Sequence, residues 1–128
     1  MNKRIIITAS LFGMLAVILG AFGAHGVKPK ISPDEMHIWQ TAVDYHFYHV
    51  FALLFLSTFS RFRSRLINIS YLFFTIGIIL FSGSLYILAA KSILGITQTS
   101  FIGPVTPVGG LCFIIGWTAL LLAAIRNK

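Results

Sequence analysis

Acidic residues are nearly absent from this 128-residue chain. Asp34, Glu35 and Asp44 are the only carboxylate side chains, against ten Lys and Arg, and all charged residues together make up 10% of the sequence. A soluble domain usually carries about 25% charged residues. So few charges on a chain that is 57% hydrophobic would leave large apolar patches in water. There is one cysteine, Cys112, inside an apolar run, which excludes a disulfide framework within one chain and suits a small apolar filler. No G-x-S-x-G and no phosphate-binding glycine loop occurs, so the familiar nucleophile and nucleotide sites are missing. No Glu-x-x-His pair exists for a di-iron bundle either.

What is present is long apolar runs with basic ends. A helix needs about 20 apolar residues to cross a bilayer core about 30 Å thick. The runs predict an all-α integral membrane four-helix bundle, a single domain over 1–128, with spans at about 5–24, 41–60, 66–90 and 108–125. The second is the least apolar, because its first half carries Asp44, His46 and His49. Four spans place Lys3, Arg4, Arg61, Arg63, Arg65, Arg126 and Lys128 on one side and only Lys28, Lys30 and Lys91 on the other. Positive charge marks the cytoplasmic side, so both termini are expected there. The net charge of +7 therefore sets topology, and nucleic acid is not an expected partner. The first run is too long for a signal-peptide core and is read as a retained span.

Local signals refine this picture. Ser32, Pro33 and Glu35 form an N-cap, first-turn proline and capping-box acid, which start the second helix near Ser32. Trp39 and Tyr48 suit an outer membrane interface, and His37 a solvated one. The connection over 91–107, rich in Gly and Thr, is read as an external loop, with a re-entrant segment as the alternative. The segments LFGMLAVILGAFGAHG and LFFTIGIILFSGSLYI can be aligned, but their shared apolar composition explains the match. Gly13, Gly20, Gly23, Gly77, Gly83, Gly109, Gly110 and Gly116 are expected to let helix backbones approach.

The polar residues of the spans gather at one depth, toward the outer face: His25, Asp44, Tyr45, His46, His49, Ser82, Ser84, Tyr86 and Thr106. Ionisable groups inside a membrane are costly, so this cluster is the candidate site. His46 and His49 lie three apart on one helix face and, with His25, could hold Zn, Cu or Fe, or a haem through an axial imidazole. Hydrogen bonding to backbone or tyrosine is the plainer use of the same imidazoles.

The motifs GAFGAHG (20–26), TAVDYHFYH (41–49), LFSGSLY (80–86), TPVGG (106–110), GW (116–117) and the final AIRNK resemble, in order and spacing, the YgdD-like small inner-membrane proteins. That is the family of domain of unknown function 423, whose eukaryotic relatives are called transmembrane protein 256. The resemblance implies a small multi-span protein of the bacterial inner membrane with no assigned reaction. It carries onto Gly20, Gly23, His25, Tyr45, His49, Ser82, Gly83, Ser84, Tyr86, Thr106, Pro107, Gly109, Gly110 and Trp117. Relatives often have Gln where His46 stands, which weakens a His-pair metal site and favours hydrogen bonding. No cofactor follows from the sequence, and no catalytic set points to an enzyme. Three functions stay open: a non-enzymatic packing, lipid-binding or accessory protein; a metal- or haem-binding redox protein; and a small proton-coupled transporter using Asp44. Membrane lipids are expected partners, with a homo-oligomer or other membrane proteins also open.

Overall fold

The computed structural model describes residues 2–59 and 65–126, all helices and connections with no strand among them. Helix α1 (Lys3–Phe22) starts two residues before the expected span because the Asn2 side chain caps it, accepting from the Arg4 and Ile5 amides. It runs on through a π-helical turn, Gly23–Val27, and a 3-10 turn, Lys28–Lys30. Helix α2 (Pro33–Ser57) has the expected start. Ser32 Oγ accepts from the Glu35 amide at 3.1 Å and Glu35 Oε1 accepts from the Ser32 amide at 3.1 Å. The expected span over 41–60 is cut short, since α2 ends at Ser57 and Ser60 lies outside the described residues.

Helix α3 (Arg65–Gly77) passes through a second π turn, Ile78–Ser82, into α4 (Gly83–Ala89). A short α5 (Lys91–Leu94) closes on Gly95, whose φ of 70° is the left-handed conformation that favours glycine at a helix C-terminus. Helix α6 (Val105–Arg126) begins three residues earlier than expected and holds Pro107 in its first turn, where a missing amide breaks no helical bond.

Among the described residues, three helical stretches are long and apolar enough to cross a membrane: Lys3–Lys30, Arg65–Ala89 and Val105–Arg126. At 25 residues, about 37 Å, α2 is long enough, but it falls outside that set. Its acids and imidazoles dilute its apolar character.

Side chains fix how the helices meet. The Asn2 amide donates to the Ser57 carbonyl at 2.8 Å, so α1 starts where α2 ends. Thr8 on α1 and Tyr71 on α3 share a hydrogen bond at 2.7 Å. Ser70 on α3 donates to the Gly116 carbonyl of α6 at 2.9 Å. Lys3, Arg4, Arg65 and Arg126 therefore share one end, and Lys28, Lys30 and Lys91 the other. Arg61, Arg63 and Lys128 lie outside the described residues.

The contact between α3 and α6 is close and reciprocal. Phe113 of α6 fills the space beside Gly77, and Phe74 of α3 fills the space beside Gly116; a Cβ on either glycine would collide with the ring. The same Phe-x-x-Gly spacing on both antiparallel helices makes two interlocked ring-and-notch contacts. Gly109 is tighter still, since a Cβ there would collide with the backbone of Phe81 in the second π turn. Gly23 leaves room for the Trp39 indole, which donates to the Leu19 carbonyl at 3.1 Å. Trp39 is thus buried between α1 and α2, while Tyr48 is exposed. Gly13 and Gly20 meet Val50 and Val43 at ordinary or slightly tight range. Gly83 has nothing within 4 Å of a built Cβ, and Gly110 only the edge of Phe81 at 3.8 Å.

Candidate functional site

The polar residues singled out in the sequence divide into separate pairs. His49, on α2, is buried and satisfied at both nitrogens. Its Nδ1 donates to the Tyr45 carbonyl one turn back at 2.7 Å, and its Nε2 accepts from the Trp117 indole N–H of α6 at 3.0 Å. That pair of bonds requires the neutral Nδ1–H tautomer. The ring stacks on Phe113 with centroids 3.5 Å apart and planes within 8°, and meets Phe74 edge-on at 5.4 Å. A metal would need the Nε2 lone pair that Trp117 already occupies.

His46 faces different neighbours. Its Nδ1 lies 3.0 Å from the Tyr86 hydroxyl of α4, and its ring meets Phe12 of α1 edge-on at 6.1 Å. Among the described residues its Nε2 is buried with no hydrogen-bond partner. Tyr86 in turn packs edge-on against Trp39, with centroids 4.9 Å apart. Three-residue spacing puts the two imidazoles about 60° apart around the helix, and that is enough to send one toward α1 and α4 and the other toward α3 and α6.

The remaining candidates sit elsewhere. Ser82 donates to the Ala42 carbonyl at 2.8 Å and ties the second π turn to α2. Ser84 donates to the Phe81 carbonyl at 2.9 Å and pairs with Thr106 at 2.6 Å, linking α4 to the start of α6. Asp44 is half-buried and accepts from Gln40 at 2.8 Å. Tyr45 is exposed, its ring tilted over Phe81 at 4.8 Å. His25 is exposed on the first π turn. Among the described residues no group of three or more His, Cys, Asp or Glu side chains is placed to hold a metal ion.

Beside His49 lies an open groove of about 570 Å³ between α2, the second π turn and α6. Tyr45, Phe81, Phe113 and Trp117 give it aromatic walls, and Pro107 and Gly110 form its rim. A second groove, about 410 Å³, runs along the start of α2 beside Lys28, Met36 and His37. At that end Glu35 is held below the ordinary carboxylate range, first by its capping bonds with Ser32 and then by Lys91 and Ser92.

Several partners carry no sequence signal of their own. Trp117 and Phe113 become visible as His49 partners only once α6 is packed, and Thr8, Tyr71 and Ser70 read as ordinary span residues. The π turns have no local signature, although such turns inside α-helices occur frequently at functional sites.

The comparisons with known proteins agree on a family and name no activity. The model of the family described as "Protein of unknown function (DUF423)" matches residues 19–110. A UPF0382 membrane protein of Staphylococcus aureus (strain bovine RF122 / ET3-1) is 43% identical over 124 residues, 97% of each chain. A UPF0382 membrane protein of Bacillus subtilis (strain 168), YwdK, is 42% identical over 127 residues, covering 97% of this chain and 98% of its own. One from Staphylococcus epidermidis (strain ATCC 12228 / FDA PCI 1200) is 42% identical over 97% of both. No solved structure matches. With a family model covering most of its length and relatives named as membrane proteins that match nearly the whole chain, this chain belongs to the DUF423 family of membrane proteins.

Proposed function

We propose that the chain is a four-span protein of the bacterial inner membrane, with both termini cytoplasmic, and that its role is non-enzymatic: a packed helical accessory protein in contact with lipid. The observation that carries this reading is the pairing of polar groups within the helices. His49 is satisfied by Tyr45 and Trp117, Ser82 by Ala42, Ser70 by Gly116, Ser84 by Thr106 and Thr8 by Tyr71. All but the His49–Tyr45 bond, which stays within α2, join one helical stretch to another, as interhelical polar contacts do in lipid. These pairs use their polar groups within the bundle, and His46 Nε2 is the buried side-chain atom they leave without a partner among the described residues.

The four-span reading is supported by α2, which is long enough to cross and whose apolar second half packs Val50, Leu53 and Leu56 into the core beside Ile5 and Ala9 of α1. Cytoplasmic termini are supported by Lys3, Arg4, Arg65 and Arg126 sharing an end that has no acidic side chain among the described residues. A metal or haem ligand at His49 would have to displace Trp117, and His46 Nε2 is the buried imidazole nitrogen without a partner among the described residues. Coupled transport would need a deep acid, and Asp44 stands eleven residues into α2 with Gln40 bonded to it.

Purified protein tests the role. A folded, colourless preparation without stoichiometric metal is expected; a haem band or bound metal that disappears in His49→Ala would overturn the non-redox reading. Reporter fusions after residue 30, after residue 97 and at the C-terminus test the topology, with the first two expected outside and the last inside.

A further inference from the structure

The end of the molecule built from the starts of α1 and α3 and the ends of α2 and α6 carries charge that the packing does not use. Lys3, Arg4, Arg65 and Arg126 are all exposed there. All three side-chain carboxylates belong to the first half of α2, at the other end. Asp44 comes nearest, and it is thirteen residues before Ser57, about 20 Å along the helix. None of the four cations has a carboxylate side chain within reach.

Arg4 is held in place. Its guanidinium carbon lies 5.1 Å from the centroid of the Tyr71 ring on α3. Tyr71 is itself buried, and its hydroxyl bonds Thr8 Oγ1 at 2.7 Å. Thr8 Oγ1 donates to the Arg4 carbonyl at 3.1 Å, so the Tyr71 O–H is the donor to Thr8. A cation over an aromatic ring is held by the charge of the guanidinium, a contact that needs none of its N–H donors to meet an acceptor. A planar fork of donors without a carboxylate, at the level where an apolar helix ends, matches a phosphate that also sits at that level.

We infer that this end docks anionic phospholipid, with Arg4, fixed over Tyr71, gripping the headgroup phosphate and Lys3, Arg65 and Arg126 adding unfixed positive charge. The inference rests on the membrane reading above, but not on which side of the membrane the rim faces. The occupant follows from charge complementarity: a cationic rim around apolar helices meets a surface that is anionic at its border and apolar beneath.

The test is lipid retention by the full-length protein in detergent micelles, read by native mass spectrometry with phosphatidylglycerol or phosphatidylcholine added. Phosphatidylglycerol is expected to be retained in preference. One basic side chain contributes about 1 kcal/mol toward an anionic surface, so Arg4→Ala should weaken retention about 5-fold. Tyr71→Leu, which changes no charge, should weaken it too, while Tyr71→Phe keeps the ring and the retention. Arg4→Lys is exposed, leaves the core intact and should fall between wild type and Arg4→Ala. Lys91→Gln, at the opposite end, should have no effect. Equal retention of the two lipids, or equal losses in Lys91→Gln and Arg4→Ala, would overturn the proposal. Inorganic phosphate should fail to compete at matched concentration; displacement would assign the site to a free anion and overturn the lipid. Reporter fusions that placed the rim outside would overturn the topology and leave this result standing.

Discussion

Trp117 hands its indole N–H to Nε2 of His49 across the α2–α6 contact, and the bond decides what the histidine can be. With Nδ1 already committed to the Tyr45 carbonyl, the imidazole is a neutral two-point connector between helices. Replacing Trp117 by Phe keeps a ring beside Phe74 while removing the donor and part of the indole's bulk. The buried Nε2 then loses its partner, which costs about 1–2 kcal/mol of stability. Removing both partners in His49→Phe with Trp117→Phe should cost less than Trp117→Phe alone, because no polar atom is stranded. Reversible unfolding in mixed micelles measures both. A double variant worse than the sum of its parts would refute the connector role.

The glycines divide into two kinds, and alanine substitution should tell them apart. At Gly109 a methyl group would meet the Phe81 backbone, which cannot swing aside as a side chain can. Gly109→Ala should therefore destabilise by about 1–3 kcal/mol or more. Gly83 has ordinary right-handed helical angles and open space around a built Cβ. Gly83→Ala should be neutral or gain up to about 1 kcal/mol from helix propensity. The same unfolding assay checks both signs. A destabilised Gly83→Ala would point to a neighbour outside the chain.

Ser82→Ala should cost little, about 0.6 kcal/mol, the usual value for an interhelical hydrogen bond in a membrane protein. The Ala42 carbonyl that Ser82 reaches keeps its own helical amide. A loss comparable to Gly109→Ala would mean that the second π turn depends on this hydroxyl for its shape. Circular dichroism together with unfolding separates the two outcomes.

Helix identity was legible because it rests on local rules. Apolar runs of the right length, and the Ser32–Pro33–Glu35 start signal, act within a few residues of where they are read. The limits of reading appear wherever a residue could serve two neighbours. His46 and His49 share a face on a helical wheel, yet the wheel does not say which helices flank that face, and the two rings part toward Tyr86 and Trp117. Trp39 is amphipathic, so an interface and a notch at Gly23 satisfy it equally on composition, and only the packed α1 supplies the Leu19 carbonyl. Gly83 and Gly109 look alike in a list of small residues. Only the approach of the Phe81 backbone distinguishes them. His25 matched the other imidazoles in depth along the chain, but depth leaves rotation about the helix axis undetermined.

Acid should loosen the start of α2, ahead of its apolar half. Glu35 is held below the ordinary carboxylate range because its ionised oxygens accept from the Ser32 amide and hydroxyl, with smaller help from Lys91 and Ser92. A carboxylate whose value is depressed by folding contributes fully above its unfolded value, about 4.3, and loses that contribution as pH falls through the lower folded value. Hydrogen exchange over residues 33–36, corrected for the intrinsic rate at each pH, should therefore show constant protection near neutrality and increased opening in acid. Glu35→Gln keeps a side-chain acceptor for the Ser32 amide, since Gln also completes a capping box. It should flatten the acid dependence while retaining part of the protection. If protection in the wild type does not change on acidification, or if Glu35→Gln retains the full dependence, the acid sensitivity lies in another group and the cap makes no ionic contribution.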